Sequence, residues 1–372
     1  MNFIRRLNHA RIDFGRALAL NTARFIFDRK SRHPRLQDID IQRILVLNIG
    51  DKIGDTTVCT LMYRELHRWN PDVKVDMVCG RQTFPLVENN PYIDDIIVCK
   101  KGFFATIFLA EKLRRKKYDV VFDVRELTDA STLYLLKRMA GKVNVGFDRN
   151  KYALHDILMD DGLKKIHVAE RYGELLRVLG IENPNLAYDL HVSPQDRNEI
   201  AALLKQAAID AQLIVINAYA AARYRNISLG RVGEIIAALQ RSVWRNYSVV
   251  LVGPPAKRAE LRQFVDKSRA DKLYYFPEIS SIMRVAALIG RARLVITPDT
   301  SIVHIASAFD TPQICFYRHD GADDLQNAIR WGPRSRQHQV IYARARTHGE
   351  VDINTFRIED VQRALDKLVE EM

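Results

Sequence analysis

The sequence predicts an α/β protein made of two parallel-sheet domains, with helices on both faces of each sheet. Short apolar runs with strand character alternate with helical stretches along most of the chain, and this alternation is typical of βαβ units. It is interrupted once, where Asn183-Pro184-Asn185 breaks the chain and Ser193-Pro194 begins a new helix. A chain of 372 residues is also long enough for two hydrophobic cores. We therefore expect an N-terminal arm, two domains and a final helical segment, with the bounds 1–40, 41–192, 193–345 and 346–372.

Strand and helix signals alternate within each domain. The strands predicted for the first domain are 43–47, 73–78, 96–98, 120–122 and 143–146, and its helices are 56–69, 104–116 and 128–139. The strands predicted for the second domain are 213–216, 248–252, 273–276, 294–297 and 313–316, and its helices are 195–208, 229–243, 256–268, 281–290 and 300–309. A last helix is predicted at 358–371. Ligands bind beyond the carboxyl ends of parallel strands, so the predicted site is the cleft between the two domains.

The composition is that of a soluble globular protein, with 47% hydrophobic and 27% charged residues. No apolar run reaches the ~20 residues that a membrane-spanning helix needs. Arg11, Asp13 and Arg16 interrupt any apolar stretch that a signal peptide would require. The four cysteines form no C-x-x-C pair, so we expect buried thiols in a reducing cytosol instead of disulfides or a zinc site.

More than half of the net charge of +12 lies in the N-terminal arm. Residues 1–35 hold nine basic side chains and two acidic ones, a net charge of +7, with aromatic and aliphatic residues between them. This mixture favours an interfacial helix on an anionic membrane. A basic arm that packs on its own protein has the same composition, and this alternative stays open. Nucleic acid is a third partner for a basic chain, but no recognition motif accompanies the charge, and we expect none to bind.

The most informative stretch is Asp299-Thr300-Ser301-Ile302-Val303-His304, which joins a predicted strand to a predicted helix. Free backbone N–H groups and the positive end of the helix dipole favour an anion at such a junction. Helical spacing also places Thr300, Ser301 and His304 on one face. Asp and Thr are ordinary N-cap residues, however, so the same letters suit a plain capped helix.

A second candidate site is Gly50-Asp51-Lys52-Ile53-Gly54-Asp55, directly after the first predicted strand. Its two glycines permit a tight turn and the close approach of a ligand, but it is neither a Walker loop nor G-x-G-x-x-G. Asp55 lies at the start of the following helix, where it suits an N-cap. It equally suits a carboxylate that faces the cleft, kept ionised by the helix dipole and able to take a proton from a hydroxyl.

The third candidate is the loop 217–226, which follows the first strand of the second domain. It combines Asn217 and several small residues with Arg223 and Arg225. Small residues let the backbone come close to a diphosphate, and a guanidinium binds two phosphate oxygens at once. A solvated surface loop is the alternative, since most arginines are exposed. Gly253 follows the next strand and permits a ribose to approach.

No metal site is predicted. The D-x-D of Asp38-Ile39-Asp40 precedes the first strand instead of following one, and the ten histidines form no H-E-x-x-H. A Ser-His-Asp hydrolase is not expected either, because G-x-S-x-G is absent.

Two separated stretches resemble the heptosyltransferases of lipopolysaccharide core synthesis, glycosyltransferase family 9. The first comprises Ile44-Leu45-Val46-Leu47 through Gly54-Asp55, the helix after it, and Pro71-Asp72-Val73-Lys74-Val75-Asp76. The second is Leu294 through Ala308, followed by Thr311-Pro312-Gln313. Order, spacing and strand–helix setting agree with the family over about residues 41–370. Gly146-Phe147-Asp148 with Lys151-Tyr152, and Tyr188-Asp189-Leu190-His191, are similar to the branch that adds a late, outer-core residue, a heptosyltransferase IV-like group.

The resemblance implies a GT-B fold, in which two Rossmann-like domains face a central cleft, and an inverting, metal-independent sugar transfer without a cofactor. The implied donor is ADP-L-glycero-D-manno-heptose. The implied acceptor is a lipid-anchored core oligosaccharide at the anionic inner face of the inner membrane, which makes the protein cytoplasmic and peripheral.

Site roles follow from matching positions. Asp55 is the implied catalytic base. The residues implied to contact the donor are Arg225, Asp299, Thr300, Ser301 and His304. Their places after strands add Asn217 and Gly253 to the donor side, and make Lys52, Arg125 and Arg149 candidate acceptor contacts.

The chain departs from the family at two places. Ser301 stands where the family commonly has Gly, and Arg225 stands where it usually has Lys, followed by Asn226-Ile227-Ser228 instead of Trp-Pro. These changes leave the donor open. The alternatives are a UDP-hexose or UDP-N-acetylhexosamine donor, and an inactive nucleotide-sugar-binding scaffold at the membrane.

Overall fold

The computed structural model describes residues 15, 17–29, 34–100, 102–125, 129–147, 152–210, 212–319, 321–344, 346–347 and 350–370. Within them lie two six-stranded sheets in which neighbouring strands run parallel. The predicted architecture of two parallel-sheet domains is therefore confirmed.

The first sheet contains the strands β1 (Arg43–Asn48), β2 (Lys74–Cys79), β3 (Asp95–Val98), β4 (Val120–Asp123), β5 (Val143–Gly146) and β6 (Ile157–Leu158). The second contains β7 (Leu213–Asn217), β8 (Ser248–Val252), β9 (Leu273–Tyr275), β10 (Leu294–Pro298), β11 (Gln313–Arg318) and β12 (His338–Ala343). Their spatial orders are β3-β2-β1-β4-β5-β6 and β9-β8-β7-β10-β11-β12, which are the same order. Each sheet thus has a switch point, between β1 and β4 or between β7 and β10, and a crevice for ligands opens there.

Twelve helices of at least eight residues lie in the described part of the chain. They are α1 (17–27), α2 (Ile53–Trp69), α3 (Phe103–Lys116), α4 (Ala130–Met139), α5 (Val168–Arg177), α6 (Pro194–Gln206), α7 (Leu229–Gln240), α8 (Arg258–Lys267), α9 (Ile282–Ile289), α10 (Ser301–Ala308), α11 (Ala322–Trp331) and α12 (Ile358–Glu370). A short antiparallel pair, β13 (Arg346–Thr347) and β14 (Glu350–Val351), precedes α12.

Local sequence explains most element boundaries. The strands are runs of Val, Ile and Leu, and β4, β5, β7, β8 and β10 are buried along their whole length, as strands between two helix layers must be. Four helices begin at a side-chain cap, in which an acid or a serine accepts a backbone N–H from the first turn. The capping residues are Asp129, Ser193, Ser228 and Ser281.

One of the apolar cores extends across both domains. A single cluster of buried side chains includes Val58 and Leu61 of α2 together with Ile302, Ile305 and Ala306 of α10. Polar contacts accompany this packing: Arg334 Nη1 lies 3.0 Å from Glu170 Oε1, and His167 Nε2 lies 3.2 Å from the carbonyl oxygen of Gly332. The cleft walls are therefore held together at the base of the site.

Both terminal helices pack on the nearest domain. In α1, Ala23 is buried in the core on one face of the first sheet, and the Phe27 ring lies 5.4 Å from that of Tyr134. The backbone N–H of Leu154 donates to Asp28 Oδ1 at 3.2 Å. Of the alternatives for the arm, packing on its own protein therefore holds for residues 17–29. At the other end, Leu365 of α12 is buried in the core of the second domain.

Six elements were not predicted from the sequence: β6, α5, α11, β12 and the short pair β13 and β14. The four cysteines are free thiols, of which Cys99 is half-buried and the others are buried. Among the described residues, no helix combines the length and the apolar character needed to cross a bilayer.

Candidate active site

The loop after β1 carries Asp55 to the carboxyl edge of the first sheet. The chain leaves β1 at Asn48, and α2 begins at Ile53, which places Asp55 in the first turn of this helix. Lys52 is the N-cap residue, and its Nζ lies 3.7 Å from Asp55 Oδ2. The Asp55 side chain is 32% exposed, so its carboxylate is accessible from the cleft.

The loop after β10 brings a second helix start to the carboxyl edge of the second sheet. Thr300 is the N-cap residue of α10 in extended conformation, and Ser301 is its first helical residue. The Thr300 side chain makes no capping hydrogen bond to this end of the helix. Its first N–H groups therefore point toward the cleft, where the helix dipole favours an anion.

Gly54 lies where the starts of α2 and α10 meet. A Cβ on Gly54 would lie 2.7 Å from His304 Cδ2 and 3.7 Å from the Cα of Ser301. These distances leave no room for a side chain, so a glycine is required for α2 and α10 to cross this closely. The crossing brings the positive ends of two helix dipoles, one from each domain, to the same place.

Arg225 is held over the start of α10 by Asp299. The Arg225 Nη1 atom lies 2.8 Å from Asp299 Oδ2, and Asn327 Nδ2 donates to the same oxygen at 3.0 Å. The Asp299 backbone N–H donates to the carbonyl oxygen of Phe316 at 2.9 Å, which ties the residue to β11. Asp299 thus orients the guanidinium, whose remaining N–H groups are available to phosphate oxygens.

His304 is enclosed where the domains meet. Its ring centroid lies 6.2 Å from that of Tyr188 and 5.8 Å from that of Trp331. Burial, together with a smaller contribution from the neighbouring His167, lowers the pKa of His304 to about 3. Near neutral pH the imidazole is therefore uncharged, and it supports the crossing of α2 and α10 by packing.

Asn217 and Gly253, predicted on the donor side, lie at the carboxyl ends of β7 and β8, and each has a packing role there. The Asn217 amide nitrogen donates to the carbonyl oxygen of Tyr219 at 2.8 Å and to Thr297 Oγ1 at 3.1 Å. Its side chain thus fixes the backbone of the loop from inside the protein. A Cβ on Gly253 would lie 2.8 Å from Tyr219 Cδ2, so the glycine makes room for that ring. Their contact with a donor stays a prediction.

The candidate acceptor residues lie on the first domain. The Arg125 guanidinium donates to both carboxylate oxygens of Asp123, at 2.8 and 3.1 Å, and to Thr132 Oγ1 at 2.6 Å. Burial raises the pKa of Asp123, but Arg125 and His155 outweigh it and hold that pKa at about 2. Arg125 therefore neutralises a buried acid at the end of β4, next to the switch point. Arg149 lies outside the described residues.

Three side chains near Arg225 were not singled out from the sequence. The Tyr224 ring, 45% exposed, lies 5.7 Å from the Arg225 guanidinium carbon and 4.3 Å from that of Arg318 at the end of β11. Asn327 reaches Asp299 from α11. The missed signal for Asn327 was the helical spacing of Leu325, Ala328 and Ile329 around it, which the polar neighbours obscured.

The combined arrangement suits transfer of a group from a phosphate leaving group. One wall of the cleft offers a partly exposed carboxylate, and the other offers a helix start and an oriented guanidinium. Within the described residues, no three His, Cys, Asp or Glu side chains are grouped to hold a metal ion.

Comparison with known proteins places this arrangement in a family. Residues 107–354 match the model of glycosyltransferase family 9 (heptosyltransferase). A protein of Escherichia coli strain K12 provisionally described as lipopolysaccharide heptosyltransferase 4 is 23% identical over 91% of this chain and 91% of its own length. Lipopolysaccharide heptosyltransferase 3 from the same strain is 26% identical over 86% of this chain and 96% of its own length.

Solved structures agree in fold. A family 9 glycosyltransferase from Veillonella parvula has a TM-score of 0.74 at 19% identity, covering 92% of this chain and all of that one. Escherichia coli ADP-heptose lipopolysaccharide heptosyltransferase II has a TM-score of 0.69 at 18% identity, covering 88% of this chain and 99% of that one. The chain therefore belongs to glycosyltransferase family 9, the heptosyltransferase family, and is a glycosyltransferase of GT-B fold.

Proposed function

We propose that the protein transfers a heptose from ADP-L-glycero-D-manno-heptose to the lipopolysaccharide core oligosaccharide, with inversion and without a metal ion. The observation that carries the proposal is the crossing of α2 and α10. It brings the carboxylate of Asp55 and the anion-binding start of α10 to the same cleft in a member of the heptosyltransferase family. Curated relatives described as lipopolysaccharide heptosyltransferases support the sugar and the acceptor class.

Asp55 has the chemistry of the general base. The acceptor hydroxyl oxygen attacks the anomeric carbon, and its proton passes to the Asp55 carboxylate as the new C–O bond forms. The bond between the anomeric carbon and the diphosphate oxygen breaks on the opposite face of the sugar, so the configuration inverts. Lys52 lies within ion-pair distance of the carboxylate and neutralises part of its charge before the proton arrives.

Arg225 and α10 have the chemistry that the leaving group requires. The departing diphosphate gains negative charge as the bond breaks, and preorganised positive groups stabilise that charge most effectively. Arg225 is fixed by Asp299, and the first N–H groups of α10 are oriented by the helix itself. These groups replace the charge that a metal ion would supply in a metal-dependent transferase.

The acceptor side belongs to the first domain in this proposal. Asp55 stands at the edge of that domain, and the acceptor hydroxyl must reach it while the lipid anchor stays in the bilayer. We place the protein on the cytoplasmic face of the inner membrane for this reason.

Calorimetric titration with ADP, UDP and GDP, before and after EDTA, tests the donor directly. We expect ADP to bind most tightly and EDTA to leave its affinity unchanged. A preference for UDP would replace the heptose by a hexose or N-acetylhexosamine donor. Loss of ADP binding in EDTA would contradict the proposal that the transfer needs no metal ion.

Turnover requires a separate measurement, because a non-catalytic scaffold would also bind ADP. ADP-heptose and a truncated core acceptor are incubated with the wild type and with Asp55→Asn, and glycosylated product is followed by mass spectrometry. Product from the wild type alone supports the enzyme. Absence of product from both proteins, with ADP bound, favours the scaffold.

A further inference from the structure

Helix α3 has two apolar faces. One face, with Leu109, Ala110 and Leu113, is buried against the first sheet. The other carries Phe104 and Phe108, which are 74% and 75% exposed, with Phe103 beside them at 73%. A surface helix normally presents polar side chains to water, so three exposed phenylalanines within six residues require a partner.

Helix α1 repeats this arrangement. Its inward stripe is Leu20, Ala23 and Phe27, which join the same core cluster as the buried face of α3. Its outward stripe is Leu18, Phe25 and Ile26, exposed by 59%, 80% and 50%. The two helices therefore pack on the same face of the first domain and both leave apolar side chains outside.

The basic charge around α3 favours an anionic partner over a second copy of the protein. Residues 100–117 contain seven basic side chains and one acidic one, a net charge of +6. Lys112 and Lys116 also pair with Asp95 of β3, which leaves the balance around the helix basic. Two copies of the protein joined through this surface would bring like charges together, which costs free energy. Phenylalanine beside lysine and arginine is the composition of helices that lie in the interface of an anionic bilayer.

The position of α3 determines which side of the protein would face the bilayer. This helix begins directly after β3, which is parallel to β2 and β1, so its phenylalanines lie at the carboxyl edge of the first sheet. The loop that carries Asp55 leaves the same edge. A bilayer touching the first turns of α3 is therefore adjacent to the first-domain wall of the cleft.

We propose that the outward faces of α1 and α3 form a docking surface for an anionic lipid bilayer. The aromatic side chains enter the headgroup boundary, and the surrounding lysines and arginines bind anionic headgroups. This docking surface would present the cleft to a lipid-anchored acceptor. The inference therefore rests on the proposed function and extends it.

Flotation with phosphatidylcholine vesicles, with and without phosphatidylglycerol, tests the surface in the full chain. The variant is Phe103→Ser/Phe104→Ser/Phe108→Ser, and the matched control is Val243→Ser/Ile329→Ser/Val369→Ser, which alters three exposed apolar residues of the second half of the chain. We expect the wild type and the control to float with the anionic vesicles only. The α3 variant should bind them at least about tenfold more weakly, since each phenylalanine loses apolar contact with lipid. Phe25→Ser/Ile26→Ser should give a smaller loss.

Other outcomes separate the two proposals. Equal flotation of the α3 variant and the wild type would overturn the docking surface, whatever the enzyme transfers. If light scattering instead shows a wild-type dimer that the α3 variant dissociates, the surface is a contact between copies and the lipid proposal is wrong. ADP titration serves as the independent readout. If the wild type floats but binds no nucleotide, the docking surface is supported and the proposed function is contradicted.

Discussion

The two switch points of this protein have the same strand order and opposite chemistry. Behind β1, the carboxylate of Asp55 is 32% exposed and faces the cleft from the first turn of α2. Behind β10, the carboxylate of Asp299 is 15% exposed and is held by Arg225 and Asn327. An acid beside a helix start thus becomes a proton acceptor in one domain and an anchor for a cation in the other. The burial of the side chain and its partners decide between these roles, while the topology is shared.

The sharpest test of this comparison is Asp55→Asn. Because a base is needed only in the chemical step, we expect turnover to fall by about 10²- to 10⁴-fold while ADP affinity stays within about twofold. Single-turnover rates and ADP titration measure the two effects. Asp72→Asn, an exposed acid just beyond the other end of α2, is the control and should change neither. A parallel loss of ADP affinity in Asp55→Asn would contradict its role as base.

Arg225→Ala tests the other switch point. Removing a charge-assisted contact to the diphosphate should weaken ADP binding by about 10- to 100-fold and lower turnover as well. Asp299→Asn should cause a smaller loss, because it leaves the guanidinium present but less firmly oriented. Arg223→Ala, in the same loop but exposed, is the matched control. Unchanged ADP affinity in Arg225→Ala would remove this residue from the donor site.

Gly54→Ala tests the contact between the two switch points. In an open helical position this change would stabilise by about 1 kcal/mol, but here the new methyl group meets the His304 ring and should cost about 1–3 kcal/mol. Gly233→Ala in α7, whose nearest neighbour is Phe264 Cζ at 4.0 Å, is the control and should stabilise. Chemical denaturation gives both free energies.

The double variant with His304→Ala tests whether the clash is the cause. In it the two destabilising effects should not add, because the His304 ring that the new methyl group meets is absent. Stabilisation by Gly54→Ala would mean that the helices cross less closely.

The last prediction concerns pH. Burial lowers the pKa of His304 to about 3, and it lowers that of His167 to about 4, with Arg334 adding to the latter shift and the Gly332 carbonyl opposing it. Both are neutral in the folded protein, whereas unfolded histidine takes up a proton below about pH 6.5. The contribution of these histidines to the free energy of unfolding is therefore fully present above that pH, and it is lost as the pH drops toward 4. Between pH 7.5 and 5 the loss should be about 2 kcal/mol for each histidine.

Thermal melts at several pH values measure this loss. His304→Gln should give a shallower dependence of stability on pH than the wild type, and His338→Gln, an exposed histidine on β12, is the control. Identical slopes in His304→Gln and the wild type would show that this ring does not couple stability to protons.

The sequence predicted the strands well because a strand buried on both faces is a run of apolar residues, as in β7 and β10. The site motifs could also be found, since the residues after a strand in a parallel sheet lie at the ligand-binding edge. By contrast, the apolar spacing of Leu325, Ala328 and Ile329 in α11 is short and was not recognised in the sequence, and with it Asn327 was missed. The strand order depends on pairing between distant segments, and no local pattern encodes it.

Side-chain partners were the least predictable feature. Nothing near Gly54 in sequence indicates that His304, some 250 residues later, fills the space where its side chain would be. Asn217 looked like a ligand-binding amide because it follows β7, but its nitrogen is used by Tyr219 and Thr297. Such roles depend on which groups the fold brings within hydrogen-bonding distance.

The close crossing of α2 and α10 also has a mechanical consequence. If the two domains rotate, a contact with no room for a side chain is the point about which they turn, and the groups nearest to it move least. Rotation there would open the outer rims of the cleft widely, so a bulky acceptor could enter and leave. Asp55 and the start of α10 would keep nearly the same separation throughout, so each catalytic cycle would begin with its reacting groups already in register.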